Sequence, residues 1–222
     1  MSLDKIVALV PMRHDSKRVP GKNYRLMNGK PLYAYIIETL LSVPEISQVV
    51  VDTDSKPVME GLAQSYPQVK VLLRPENLRL DTTPTNEILL HDTAQVEADL
   101  YLQTHSTNPL LKAGTVSKAI QKLRSSWPEY DSLFSVTRWQ TRLWDALGRA
   151  VNHNPAILLR TQDLPPIYEE NSCMYLFTRE TLVSRRNRLG ERPIMFEMDA
   201  REATDIDEEL DFVIAESLIK NQ

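Results

Sequence analysis

Most of the chain alternates between short apolar runs rich in Val, Ile and Leu and longer amphipathic stretches, with turn-forming or charged residues at the joins. Residues 5–10 form a continuous apolar run with β-branched members, the pattern of a strand covered on both faces. Further strands are predicted over 48–54, 69–73, 99–103, 131–136 and 171–177. Helical periods lie between them. One opens at Pro31, carries Leu32, Tyr35, Ile36 and Leu40 on one face, and ends at Pro44. Others are predicted over 56–65, with Ser55 placed to cap the helix, and over about 86–96, 113–123 and 208–219. This β-loop-α rhythm predicts an α/β protein with a mostly parallel sheet in a three-layer arrangement.

The rhythm breaks over 137–168. These residues show no clean helical period and carry Trp139, Trp144, Arg138, Arg142, Arg160 and the pair Pro165-Pro166. A structureless stretch of this length is uncommon inside a compact domain, so it reads as an excursion with small elements of its own. Trp and Arg are enriched at subunit interfaces, which fits a dimerisation element; packing as a lid is the alternative. With no internal repeat and no Gly/Ser linker, residues 1–222 are expected to form one domain with this element inserted.

Ligands of open α/β sheets bind beyond the carboxyl ends of the strands, which draws attention to the loop after the first strand. Between Met12 and Lys30 there are six bases, Arg13, Lys17, Arg18, Lys22, Arg25 and Lys30, against one acid, Asp15. Between Glu197 and Glu216 there are nine acids against the single base Arg201. The two segments either pair as surface charge or form the two halves of a site for phosphate and metal. The first loop is suited to a polyanion, since turn residues Asp15, Ser16 and Gly21 leave backbone N–H groups free to meet phosphate; a solvated charge cluster is the plain alternative. Asp205 and Asp207 alternate in extended chain and can share one Mg²⁺, although either could instead cap the last helix. The hydroxyls of residues 82–85 could likewise meet an anion or cap a helix.

Composition narrows the classes. A 42% hydrophobic, 25% charged chain of 222 residues is that of a soluble globular protein with a full core. No apolar run approaches the ~18 residues of a membrane span, and the first residues lack the apolar core of a signal peptide, so a cytoplasmic location and no membrane partner are expected. A net charge of −4 argues against a nucleic-acid partner. The lone Cys173 excludes an intramolecular disulfide and reads as a small buried hydrophobe. The dinucleotide fingerprint, the Walker loop and the Gly-x-Ser-x-Gly elbow are all missing. His105, in the loop after the strand over 99–103, is a candidate substrate contact.

Five segments in order, Pro11-Met12-Arg13-x-x-Ser16-Lys17-x-x-Pro20-x-Lys22-Asn23, Leu73-Arg74-Pro75-Glu76-x-Leu78, Asp131-Ser132-Leu133-Phe134-Ser135, Gln162-Asp163-Leu164-Pro165-Pro166-x-Tyr168-x-x-Asn171 and Asp205-Ile206-Asp207-x-x-x-Asp211-Phe212, resemble the acylneuraminate cytidylyltransferase family, the CMP-sialic acid synthetases. The resemblance spans nearly the whole chain. It implies a Rossmann-like nucleotide-diphospho-sugar transferase fold and a homodimer. The implied reaction is attack by the anomeric hydroxyl of a 2-keto-3-deoxy sugar acid on the α-phosphate of CTP, with release of pyrophosphate. On the matching positions it implies that Arg13, Ser16, Lys17, Lys22 and Asn23 bind CTP, with Arg13 and Lys22 offsetting triphosphate charge. It further implies that Arg74 and Thr85 contact the nucleotide, that Asp205 and Asp207 carry Mg²⁺, and that Gln103 contacts the sugar acid. Asn171 falls in the segment expected to shape the sugar pocket, and Arg160 is a candidate for the partner subunit's sugar carboxylate. Two departures stand out. The family's usual Gln-Pro-Thr-Ser-Pro-Leu-Arg is here Gln103-Thr104-His105-Ser106-Thr107-Asn108-Pro109-Leu110-Leu111, and its common Asn-Gly is Asn171-Ser172. Both fall on the sugar side, so the acceptor is the open question. A 3-deoxy-manno-octulosonate cytidylyltransferase and a non-catalytic nucleotide-binding homologue are the alternatives.

Overall fold

The computed structural model describes residues 3–221. Its main sheet contains β1 (Ile6–Met12), β4 (Ile46–Thr53), β5 (Lys70–Leu73), β6 (Leu100–Thr104), β7 (Ser132–Trp139), β8 (Ile167–Phe177) and β9 (Pro193–Glu197), in the order β5-β4-β1-β6-β8-β7-β9. Only β8 runs against its neighbours, so the sheet is mostly parallel. A two-stranded ribbon, β2 (Leu26–Met27) with β3 (Lys30–Pro31), stands beside it.

Alternation along β1 explains its unbroken apolar run. Ile6, Ala8 and Val10 face one cluster with α1 (Leu32–Leu41), α2 (Lys56–Ser65) and α4 (Ala113–Ser126), whereas Val7 and Leu9 face another with α3 (Thr85–Gln95) and α5 (Arg179–Arg185). Both faces are covered, as parallel strands require. A third cluster sets up the site. Val19, Met27 and Leu32, from the cationic loop, the ribbon and the start of α1, pack against Ile206 and against Phe212 and Ala215 of α6 (Glu209–Lys220). Apolar burial therefore draws the chain's acidic end onto its basic beginning.

The structure corrects several expectations. The break in the rhythm is shorter than 137–168, because residues 137–139 complete β7 and Ile167 and Tyr168 open β8. What remains is held by short contacts, including a bridge between Trp144 and Ala150 and a 3-10 turn at Thr161–Asp163. Helix α5, the strand β9 and the β2-β3 ribbon carried too few periodic residues to be predicted. Ser55 precedes α2 without capping it; its hydroxyl pairs with His14 Nδ1 at 3.0 Å. Cys173 is fully buried, and burial pushes its thiol pKa up, as a buried hydrophobe requires.

Candidate active site

The loop after β1 closes on itself through polar contacts. Asn23, nearly buried, donates from Nδ2 to the Arg13 carbonyl at 2.8 Å and accepts at Oδ1 from the Ser106 hydroxyl at 2.6 Å. His14 N–H donates to Asp54 Oδ1 at 2.7 Å, and Ser16 Oγ accepts from Val19 N–H at 3.4 Å. Gly21 turns the chain at φ +66°, where a Cβ would press on the Tyr24 ring. The loop after β6 is stitched to the acidic segment: Ile206 N–H donates to the Thr107 carbonyl at 3.0 Å and Asn108 Nδ2 to the Thr204 carbonyl at 3.3 Å.

Between these walls lies a cleft of about 430 Å³ at the carboxyl ends of β1 and β6. Arg13, Ser16, Lys17, Arg18, Lys22 and Asn23 line one side, His105, Ser106, Thr107 and Ser172 another, and Asp205 and Asp207 face the cations. A second cavity of about 440 Å³ is lined by Thr137, Trp139, Glu169, Glu170 and Asn171 and shares Ser172, Asp205 and Asp207 with the first. The two carboxylates thus stand at the partition between two ligand-sized spaces.

Their electrostatics are those of an unbalanced pair. Asp205 Oδ1 is buried with no hydrogen-bond partner among the described residues, and burial, joined by Asp207 and opposed by Thr107 and Lys22, raises the Asp205 pKa. Lys22 donates from Nζ to the Ile206 carbonyl and lies 3.9 Å from Asp207 Oδ1. Burial lowers its pKa against the pull of Asp205 and Asp207. Neither Asp caps α6. That role belongs to Glu208 and Asp211, which form a capping box, with Asp211 Oδ2 accepting from Glu208 N–H at 2.7 Å. An orphaned buried carboxylate oxygen beside a second carboxylate fits a divalent cation.

The charged ends of the chain prove to do both jobs. Arg25 pairs with Glu209 at 2.7 Å and stacks on Phe212, which is surface pairing, while Arg18, Lys22, Asp205 and Asp207 gather in the cleft. The hydroxyls of residues 82–85 do not cap α3, whose N-cap is Pro84.

Five expected nucleotide or sugar contacts, Arg74, Thr85, Gln103, Asn171 and Arg160, do not line this first cleft. Arg74 is buried at the end of β5 and turned inward, where Nε pairs with Asp52 Oδ1 and Nη2 donates to the Asp52 carbonyl at 3.3 Å. An uncompensated Asp52 at that depth is costly, and neutralising it holds the guanidinium out of the cleft. Thr85 opens α3 and does not line the cleft. Gln103 is fully buried behind His105. Asn171 lines the second cavity, but its amide is engaged: Oδ1 accepts from the Ser135 hydroxyl at 2.6 Å and Nδ2 donates to Thr137 Oγ1 at 3.0 Å. Arg160 is exposed on the excursion and pairs with Asp163 at 2.7 Å. Asp52, His91 and Asp92 also approach within 4.8 Å of one another. Arg74 already neutralises Asp52, and burial, joined by the Asp52 charge, pushes the Asp92 carboxyl up to about 8, which favours its protonated form.

Comparison with known proteins agrees with this geometry. The family model described as Cytidylyltransferase matches residues 7–219. The chain is 30% identical to CMP-N,N'-diacetyllegionaminic acid synthase of Legionella pneumophila, over 97% of both chains. It is 26% identical to the N-acylneuraminate cytidylyltransferase of Escherichia coli, covering 95% of this chain and 51% of that protein, so it spans about half the length of that relative. It is 24% identical to the pseudaminic acid cytidylyltransferase of Campylobacter jejuni, over 97% of both. In fold it is similar to a CMP-2-keto-3-deoxy-manno-octonic acid synthetase solved with CTP, with a TM-score of 0.73 at 17% identity over 98% of this chain and 99% of that one. Among the described residues no helix is long and apolar enough to cross a membrane. A Rossmann-like sheet, a cationic loop facing paired carboxylates and a family pattern running from residue 7 to residue 219 place the chain in the cytidylyltransferase family of nucleotidyltransferases.

Proposed function

We propose that the chain couples CTP to an acidic 2-keto-3-deoxy sugar of the nonulosonate class, giving a CMP-sugar and pyrophosphate. The observation that carries this reading is the pair of cavities that share Asp205 and Asp207. A triphosphate fits the cationic side and a sugar the side lined by Trp139, Glu169 and Asn171, with the reacting phosphorus at the partition. The names of three relatives, synthases for legionaminic, neuraminic and pseudaminic acids, support the acceptor class.

In the reaction the anomeric oxygen forms a bond to the α-phosphorus, the bond from that phosphorus to the bridging oxygen breaks, and the hydroxyl proton leaves with solvent. Such transfers need in-line positioning and cationic groups where oxygen charge accumulates. Arg13, Lys17 and Lys22 supply that charge from the loop after β1, and Asn23 and Ser106 hold the loop in shape. Asp205 and Asp207 would hold Mg²⁺, which supplies charge to phosphate oxygens and lowers the pKa of a bound hydroxyl. No side chain is assigned as general base.

The assembly proposed is a homodimer. Trp144, Leu147, Ile157 and Leu158 stand exposed on the excursion, Leu158 at 90%, an apolar surface suited to a second copy. Arg160 on the same element would then reach the neighbouring subunit's sugar carboxylate. The octulosonate reading shares the first motif loosely, but Lys22-Asn23 and residues 162–171 favour the nonulosonate one. Arg13, Lys22, Asp205 and Asp207 together weigh against a non-catalytic homologue. Pyrophosphate release from CTP and Mg²⁺ with a panel of sugar acids separates the three: release with nonulosonates supports the proposal, release with the octulosonate alone supports the second, and CTP binding without release the third.

A further inference from the structure

Arg188 lies on the loop between α5 and β9, a position the sequence pattern did not single out. The loop is pinned to the start of β7 and the residue before it. Asp131 accepts the N–H groups of Glu191 and Arg192 at 2.8 and 3.1 Å, and Ser132 Oγ accepts that of Gly190 at 2.8 Å. A Cβ at residue 190 would collide with the Asp131 carboxylate, so this approach requires glycine. So fixed, the Arg188 guanidinium stacks 3.4 Å from the Tyr175 ring centroid and donates to Gln103 Oε1. Gln103 Nε2 donates to the Thr104 carbonyl at 3.2 Å and lies 3.0 Å from His105 Nε2.

Hydrogen-bonding rules leave one protonation pattern for this chain of groups. A guanidinium only donates, so the amide oxygen of Gln103 must face it. The amide nitrogen also only donates, so His105 Nε2 must be a bare acceptor and the ring proton must sit on Nδ1. Among the described residues His105 Nδ1 has no hydrogen-bond partner, and His105 lines the cleft beside Ser106 and Ser172.

We infer that Arg188, acting through Gln103, holds His105 as the Nδ1–H tautomer, so that His105 presents one hydrogen-bond donor to an oxygen of the acceptor sugar. His105 is then a specificity-determining residue and Arg188 a positioning residue. This rests on the proposed reaction for the identity of the ligand, but not for the state of the ring. Burial and the nearby cations Arg188 and Lys22 act in the same direction, lowering the imidazole pKa to about 4.

The test is two-bond ¹H–¹⁵N NMR on the histidine-labelled, substrate-free protein, with steady-state kinetics beside it. From about pH 6 to about 8, where an ordinary imidazole titrates, His105 is expected to remain neutral with its proton on Nδ1. An Nε2–H ring, or an imidazolium in that range, overturns the inference. Arg188→Met frees the Gln103 amide and is expected to abolish the preference for Nδ1–H and raise the sugar KM about tenfold, with the KM for CTP unchanged and Arg188→Lys restoring part of the loss. An unchanged tautomer in Arg188→Met, or a rise in the KM for CTP instead, contradicts it. If Arg188→Met does not fold, the spectrum of the parent protein still decides. Failure of the proposed reaction shows as no turnover with any sugar acid, whereas failure of this inference shows in the ring spectrum without substrate.

Discussion

Arg18 and Asp207 are joined across the cleft, the guanidinium nitrogen 2.6 Å from Asp207 Oδ1, so that the first loop of the chain meets the last. Both side chains are about half exposed, and such a pair contributes about 0–1 kcal/mol. Its importance is therefore positional. Asp207→Asn is expected to abolish turnover while thermal unfolding shifts by no more than roughly 2–4 °C. A variant as active as the parent would remove Asp207 from the site.

Arg13 lines the cationic wall of the cleft with Lys17 and Lys22. Arg13→Ala should weaken CTP binding by about 1.5–3 kcal/mol, the worth of a charge-assisted hydrogen bond, as read by calorimetry. A change confined to sugar affinity would show that the loop has been given the wrong role.

Asp205 carries a sign that separates stability from activity. Its folded pKa is raised, so the folded state binds the proton more tightly than the unfolded chain, and stability falls as pH climbs out of the carboxylate range. Asp205→Asn removes that loss. It should melt at or above the parent temperature at pH 7, with the difference closing toward about pH 4, and be inactive. A variant that is less stable at neutral pH than the parent contradicts the picture of an uncompensated carboxylate.

The same sign holds away from the cleft at Asp92, which Asp52, Arg74 and His91 face. Its carboxyl is raised from 3.8 to about 8, so the parent should lose stability across that window. Asp92→Asn, which can still donate to Asp52, should flatten the profile and be the more stable protein at its alkaline end. Parallel profiles for the two proteins would show that Asp92 is ionised throughout.

The excursion predicts an assembly. Light scattering on the chain should give a dimer, and Leu158→Asp should shift it toward monomer and lower turnover if Arg160 serves the neighbouring site. A monomeric, fully active parent would leave the exposed Trp144 and Leu158 without that role.

Much of this was legible in the sequence because it is local. Strands such as β1 are continuous apolar runs, helices such as α1 keep a 3.6-residue period, and the cations of residues 13–22 lie together in one loop. Pairing of the two chain ends was legible only as a charge imbalance; the cause, packing of Val19 against Ile206 and Phe212, is a long-range contact that no period reveals. The pairing of Arg74 with Asp52 was not legible, because motif position does not show that Asp52 lies buried beside it. Arg188 was missed because a single Arg in a polar loop looks solvated until β8 and β6 bring Tyr175 and Gln103 to it. The strand β9 is five residues long and half exposed, too weak a pattern to predict alone.

The central claim is the reaction itself, and the most direct measurement is ³¹P NMR of the purified chain with CTP, Mg²⁺ and a nonulosonate such as legionaminic, pseudaminic or N-acetylneuraminic acid. The account predicts loss of the three CTP resonances with matched growth of a CMP-sugar phosphodiester and pyrophosphate, dependent on the sugar. Unchanged CTP with every acid of the panel, under conditions where calorimetry shows CTP bound, would contradict it.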